Sequence, residues 1–203
     1  MAASKLIVIS GGPGSGKTTL LMELERRGFR CAAEVARQII QEQVRDGGDA
    51  LPWGDRERYC RLMLERSVAS YREHAALSET IFFDRGIPDT LCYARLVGLL
   101  LEDEIFAACN LYRYAPRVFL APPWREIYAI DTERKQSYGE AVKTYDLMVE
   151  TAGIRWWRFR GVLRWSARIL FWECWCVSCG CVLIVILCEK MVGARFRPSR
   201  FCL

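Results

Sequence analysis

The sequence predicts an α/β domain built on a parallel sheet with helices over both faces. Two observations predict it. Short, fully apolar runs alternate along the chain with longer segments of helical periodicity. The first run also passes directly into a glycine-rich turn and then a helix.

The elements follow in order. Leu6 to Ile9, bounded by Lys5 and Ser10, has the form of a buried central strand. Thr18 to Arg27 predicts a helix that Gly28 terminates. Phe29 to Ala33 is a weak second strand. Helical spacing over Glu34 to Arg45 and Asp55 to His74 is broken by a Gly- and Pro-containing loop at 47 to 54. Thr80 to Phe83 is a third strand, ending at Asp84. Pro88 to Leu101 and Glu102 to Leu111 read as one long or two short helices, and Arg117 to Ala121 as a fourth strand stopped by Pro122 and Pro123. After a charged stretch, Trp124 to Tyr138, helical spacing returns from Gly139 to Thr151. Ala141, Tyr145, Leu147 and Met148 are its inward positions. The one histidine, His74, reads as a surface residue.

Charge and composition divide the chain near residue 151. Of 203 residues, 29 are Lys or Arg and 24 Asp or Glu, a net charge of +5. Residues 151–203 hold nine basic and two acidic side chains, whereas residues 1–150 hold 20 basic and 22 acidic. The basic balance therefore belongs to the tail, and no nucleic-acid partner is expected for the body. Six of ten Cys and five of seven Trp also lie in the tail. The reading is a nucleotide-binding domain over 1–151 and an atypical Trp-, Cys- and Arg-rich tail over 152–203. No signal peptide is evident, so a cytoplasmic protein with reduced thiols is expected.

Gly11, Gly12, Pro13, Gly14, Ser15, Gly16, Lys17 and Thr18 fit G-x-x-x-x-G-K-[ST] between a predicted strand and a predicted helix. Glycines let backbone N–H groups turn inward around phosphate oxygens, and the helix N-terminus adds its dipole. Lys17 is expected at the β and γ phosphates of ATP. The Thr18 hydroxyl, beside Thr19, is placed for Mg2+. Asp84, at the end of a strand, is placed like a carboxylate that holds Mg2+ through water; its alternative is to cap the next helix.

The phosphate loop, Glu34-Val35-Ala36-Arg37, Phe82-Phe83-Asp84-Arg85-Gly86 and the charged stretch from Trp124 to Lys135 together resemble the NadR/Ttd-like AAA domain family. That family belongs to the kinase-like P-loop proteins and includes nicotinamide-riboside kinase domains and small bacterial ATPases. The resemblance covers about residues 5–151. It implies a three-layer P-loop NTPase fold with strand order 2-3-1-4-5 and an arginine-bearing lid. Glu34 and Arg37 then fall where related kinases bind the phosphate acceptor, with Glu34 a general base or hydroxyl-orienting group, or else part of a structural ion pair. Arg85 resembles the arginine that follows the strand-three carboxylate in nucleoside kinases. Arg125, Arg134 and Lys135 fall in the lid.

The function expected is a Mg-dependent ATPase or a kinase passing the γ-phosphate to a small molecule that the sequence does not name. The alternative is a nucleotide-dependent regulatory module, with the tail in contact with a membrane. A true AAA machine needs a further helical domain, for which the body leaves little room. Cys174, Cys176, Cys179 and Cys181 are too compressed for paired zinc knuckles.

A fifth strand is doubtful. The resemblance leads one to expect Gly-Tyr-x-Leu-Val-Glu-Leu-Pro after residue 151, where the chain reads Gly153-Ile154-Arg155-Trp156-Trp157-Arg158-Phe159-Arg160. Trp156 and Trp157 are encoded only by TGGTGG. Read one base earlier, the codons permit Gly-Tyr-Pro-Leu-Val-Glu-Ile-Pro, so the tail is expected to be frame-shifted or otherwise replaced.

Overall fold

The computed structural model describes residues 5–115, 118–123, 125, 137–153, 163–166 and 169–172. Its sheet has four strands, β1 (Leu6–Gly11), β2 (Arg30–Ala32), β3 (Ile81–Asp84) and β4 (Val118–Ala121), in the order β2-β3-β1-β4. Every pairing is parallel, with Leu6 opposite Ile81, Val8 opposite Val118 and Arg30 opposite Ile81. This is the kinase-like order that the resemblance implies, as far as its fourth strand.

Alternation along the strands separates two cores. Leu6 and Val8 of β1, Ile81 and Phe83 of β3 and Val118 of β4 pack on one face. Ile9, Phe82 and Phe119 point to the other, where Leu20, Leu21 and Leu24 of α1 (Lys17–Arg26) cover them. Strands buried on both sides need no polar alternation, which is why they read as unbroken apolar runs.

The first face carries the remaining helices. These are α2 (Val35–Asp46), α3 (Arg56–Ala75), α4 (Ile87–Val97), α5 (Glu102–Leu111) and α6 (Tyr138–Gly153). Cys60 and Leu64 of α3, Ile87 and Leu91 of α4 and Ile105 of α5 form the largest cluster among them. Cys92 of α4, Leu120 of β4 and Met148 of α6 form a smaller one, with Tyr145 and Leu147 packed against it. All four inward positions expected on α6 thus face the body, Ala141 being fully buried.

One expectation changes, and the doubt about a fifth strand stands. His74 is half-buried, its ring edge-on to Phe83 at 5.2 Å and its Nδ1 2.8 Å from the Ser70 carbonyl oxygen. Among the described residues no fifth strand joins β4; β5 (Leu163–Ser166) and β6 (Ile169–Trp172) pair antiparallel with each other as a separate hairpin. The reading of residues 154–160, the Cys174 to Cys181 group and the apolar run beyond Trp172 all lie outside the described residues. Among the described residues no helix is long and apolar enough to cross a membrane.

Candidate functional site

The carboxyl ends of β1 and β3 lie side by side and deliver the two segments on which the site is built. From β1 the chain turns through the phosphate loop with positive φ at Gly11, Gly14 and Gly16, then enters α1 at Lys17. No acidic residue occupies the first turn of α1, so its positive end is uncompensated.

The loop is held by backbone contacts as well as by its own geometry. A Cβ on Gly11 would stand 2.5 Å from the Ala121 carbonyl oxygen, and one on Gly12 would stand 2.7 Å from that of Ala141. Gly12 therefore lets α6 press directly on the loop. Gly12→Ala is expected to push the two apart, lowering stability by about 1–3 kcal/mol and weakening nucleotide binding. Thermal melts with and without ATP check both effects.

Lys17 is buried, its Nζ donating to the carbonyls of Gly11 at 3.0 Å and Gly12 at 3.1 Å. Burial, followed by the nearby Arg85 charge, pulls its pKa from 10.5 down to about 8, against the attraction of Asp84, Glu34 and Asp89. Ser15 closes the loop by donating from Oγ to the Gly12 carbonyl at 2.8 Å. Thr18 and Thr19 are exposed.

Asp84, the last residue of β3, is buried, and its Oδ1 has no hydrogen-bond partner among the described residues. Burial, with the Glu34 charge next, pushes its pKa up to about 6. It does not cap the following helix, because Asp89 does so, accepting from the Gly86 N–H at 2.9 Å. A buried oxygen without a partner is costly in an empty protein and suits a cation or its waters. Among the described residues no group of three His, Cys, Asp or Glu side chains could hold a metal unaided.

Arg85 leaves β3 with φ 70°, the only non-glycine residue at positive φ among those described. Its N–H donates to the Ile9 carbonyl at 2.9 Å, and its guanidinium bridges two carboxylates, Glu34 through Nε at 2.8 Å and Asp89 through Nη1 at 3.2 Å. Glu34 is the residue just before α2, so the extended chain leaving β2 places it over the site. Burial alone would raise its pKa, but the Arg85 and Lys17 charges and the Arg85 hydrogen bond outweigh it, holding Glu34 ionised.

These groups border a cavity of about 210 Å3. Pro13, Lys17, Glu34, Arg37, Arg85 and Asp89 line it together with Trp53, Tyr59, Tyr93 and Leu96. The Tyr59 and Tyr93 rings meet edge to face at 5.2 Å. The Tyr93 hydroxyl is buried and has no hydrogen-bond partner among the described residues. Residues of the anion cradle and aromatic side chains thus share one cavity.

A family model described as "AAA domain" matches residues 6–159. The chain belongs to this AAA-domain family. The match runs past the composition break at residue 151. No curated protein matches the chain. Solved structures similar to it include NadR protein in complex with NR, at 23% identity and a TM-score of 0.60 over 79% of this chain and 45% of that one. NadR in complex with NAD and AMP-PNP follows at 20% identity and 0.57, covering 79% of this chain and 44% of that one. Deoxyadenosine kinase from M. mycoides, with products dCMP and dCDP, is similar at 15% identity and 0.53, over 78% and 90%. The chain spans less than half the length of the NadR chains, and the likeness to all three is one of fold.

Within this AAA-domain fold, the expected site residues Lys17, Asp84, Glu34, Arg37 and Arg85 converge. Glu34 and Arg37 border one cavity, and Glu34 pairs with Arg85 at 2.8 Å. Arg125 is exposed, its guanidinium 5.7 Å from the centre of the Tyr138 ring. Arg134 and Lys135 lie outside the described residues. The sequence reading missed Asp89, Ser10 and the Trp53, Tyr59 and Tyr93 group. The tyrosines sit on segments read correctly as helices, but aromatic residues at helical spacing look the same whether they fill a core or line a cavity.

Proposed function

We propose that this protein is a kinase that transfers the γ-phosphate of ATP to a hydroxyl of a small, ring-bearing acceptor. The observation that carries this reading is that one cavity is lined by Lys17 and Pro13, by Glu34 and Arg85, and by Trp53, Tyr59 and Tyr93. Hydrolysis alone needs no aromatic side chains in that cavity.

Each residue has a task within that reading. The acceptor ring lies among the aromatic side chains, and the Tyr93 hydroxyl offers it an unused polar contact. Glu34, kept ionised by Arg85, accepts a hydrogen bond from the acceptor hydroxyl and receives its proton as the new bond forms. The acceptor oxygen bonds to the γ-phosphorus as the bond to the bridging β–γ oxygen breaks, and ADP leaves. Lys17 and the N-terminus of α1 stabilise the charge on the transferring oxygens. Thr18 and Asp84 would hold Mg2+, which when bound neutralises part of the phosphate charge.

The Arg85 charge is already met by Glu34 and Asp89, which favours an acceptor that is not itself phosphorylated. The test is ATP consumption by the full chain with nucleosides, nicotinamide riboside, their 5′-monophosphates, or water alone. Consumption is expected only with an unphosphorylated ring-bearing acceptor. Equal consumption in water would identify an ATPase and sink the kinase reading, and no consumption anywhere would favour a regulatory module.

A further inference from the structure

Asp89 receives more donors than a helix cap requires. Its side chain is 4% exposed. One oxygen, Oδ2, caps α4 through the Gly86 N–H. The other, Oδ1, accepts from Arg85 Nη1 at 3.2 Å and from the Ser10 hydroxyl. Neither of those bonds serves the helix, so the second oxygen has a separate purpose.

The two donors come from the ends of two neighbouring strands. Ser10 is buried on β1, immediately before Gly11, and its Oγ also lies 3.5 Å from Met148 Sδ of α6. Gly11 carries the carbonyl that receives Lys17 Nζ. Arg85 holds Glu34, the candidate proton acceptor. Its backbone occupies the left-handed region, which is unfavourable for a non-glycine residue and persists only where the surroundings hold it.

We infer that Asp89 is a positioning residue that sets Glu34, through Arg85, in register with the phosphate loop, through Ser10. This rests on the kinase reading for its effect on turnover, but the arrangement of Arg85 is a physical property of the empty protein. The reason for a carboxylate is geometric. One oxygen can accept from two donors while the other caps the helix, whereas an amide nitrogen in either place would oppose a donor.

Asp89→Asn keeps the size and removes the charge. In the full chain, acceptor-dependent kcat is expected to fall by about 10- to 100-fold, as for a misplaced reacting group, with nucleotide affinity unchanged. In an Arg85→Lys background the same change is expected to cost little more, because Asp89 acts through Arg85. NMR of the Arg85 guanidinium provides a readout that needs no acceptor. Its Nη signals are expected to be separate in the native protein, pinned on two edges, and to merge in Asp89→Asn.

Additive losses in the double variant, or Arg85 signals untouched by Asp89→Asn, would overturn the proposal. If no acceptor is found for the native protein, the kinase reading fails and the guanidinium spectrum still decides this one. Should Asp89→Asn not fold, Ser10→Ala, which leaves the helix cap intact, is expected to broaden the same signals, and an unchanged spectrum would count against the inference.

Discussion

Lys17→Met is expected to lower phosphoryl transfer by about 10²- to 10³-fold while making the empty protein more stable at pH 7. The first effect is the loss of a cation aimed at developing phosphate charge. The second follows from burial. With its pKa drawn from 10.5 down to about 8, Lys17 is charged at pH 7 in surroundings that disfavour the charge. The full shift corresponds to roughly 3 kcal/mol, offset by about 1–2 kcal/mol from the lost bonds to the Gly11 and Gly12 carbonyls. Because the folded value is depressed, the stability linked to Lys17 is complete above 10.5 and is lost as pH falls through about 8. The methionine variant lacks that dependence. Its advantage in thermal melts is therefore expected to be largest below pH 8 and to shrink towards pH 10. ATP should stabilise the native protein and not the variant. A variant less stable than the native protein at pH 7 without nucleotide contradicts this account.

Asp84→Asn is expected to act in the same two senses for the opposite charge. The Asp84 carboxyl titrates near 6 rather than 3.8, chiefly through burial and then through Glu34. Its folded value is raised, so the linked stability is complete below 3.8 and is lost as pH rises through about 6. Above that window the charged, partly unsatisfied carboxylate costs on the order of 2–3 kcal/mol. Asparagine removes the charge. Denaturation midpoints of the two proteins are expected to coincide near pH 4 and to separate in favour of the variant at pH 7.5. Turnover is expected to fall by about 10²- to 10³-fold, with added Mg2+ no longer stabilising the nucleotide complex. A variant that keeps its Mg2+ response would remove Asp84 from the metal site.

The parts of this fold that are legible in the sequence are those encoded by neighbouring residues. β1, β3 and β4 are buried on both faces, so each appears as an apolar run, and α1 follows a motif whose glycines have a single backbone purpose. β2 has three residues at the sheet edge, and its signal is correspondingly weak. The site is legible only where its residues fall within one motif. Glu34 meets Arg85 across 51 positions, and Ser10 meets Asp89 across 79. No local period reports such a meeting. Asp89 also satisfies a helix entry, a sufficient local explanation that hides its second oxygen. Trp53 lies in a segment that its glycines and proline mark as a loop, and the sequence gives no sign that the loop tops a cavity.

The all-parallel order has a consequence for how the protein is made. β1 is translated before the other strands of its sheet, yet it is a central one, and its partners begin at Ile81 and Val118. No hairpin can shelter it in the interval, since parallel partners require a crossover. Until those residues emerge its apolar flanks await neighbours, in a chain whose decisive contacts are distant and therefore slow to form. Gly11 lies against Ala121 and Gly12 against Ala141, so the phosphate loop gains its supports only after those residues emerge. The phosphate loop is translated well ahead of the residues that give it its working shape.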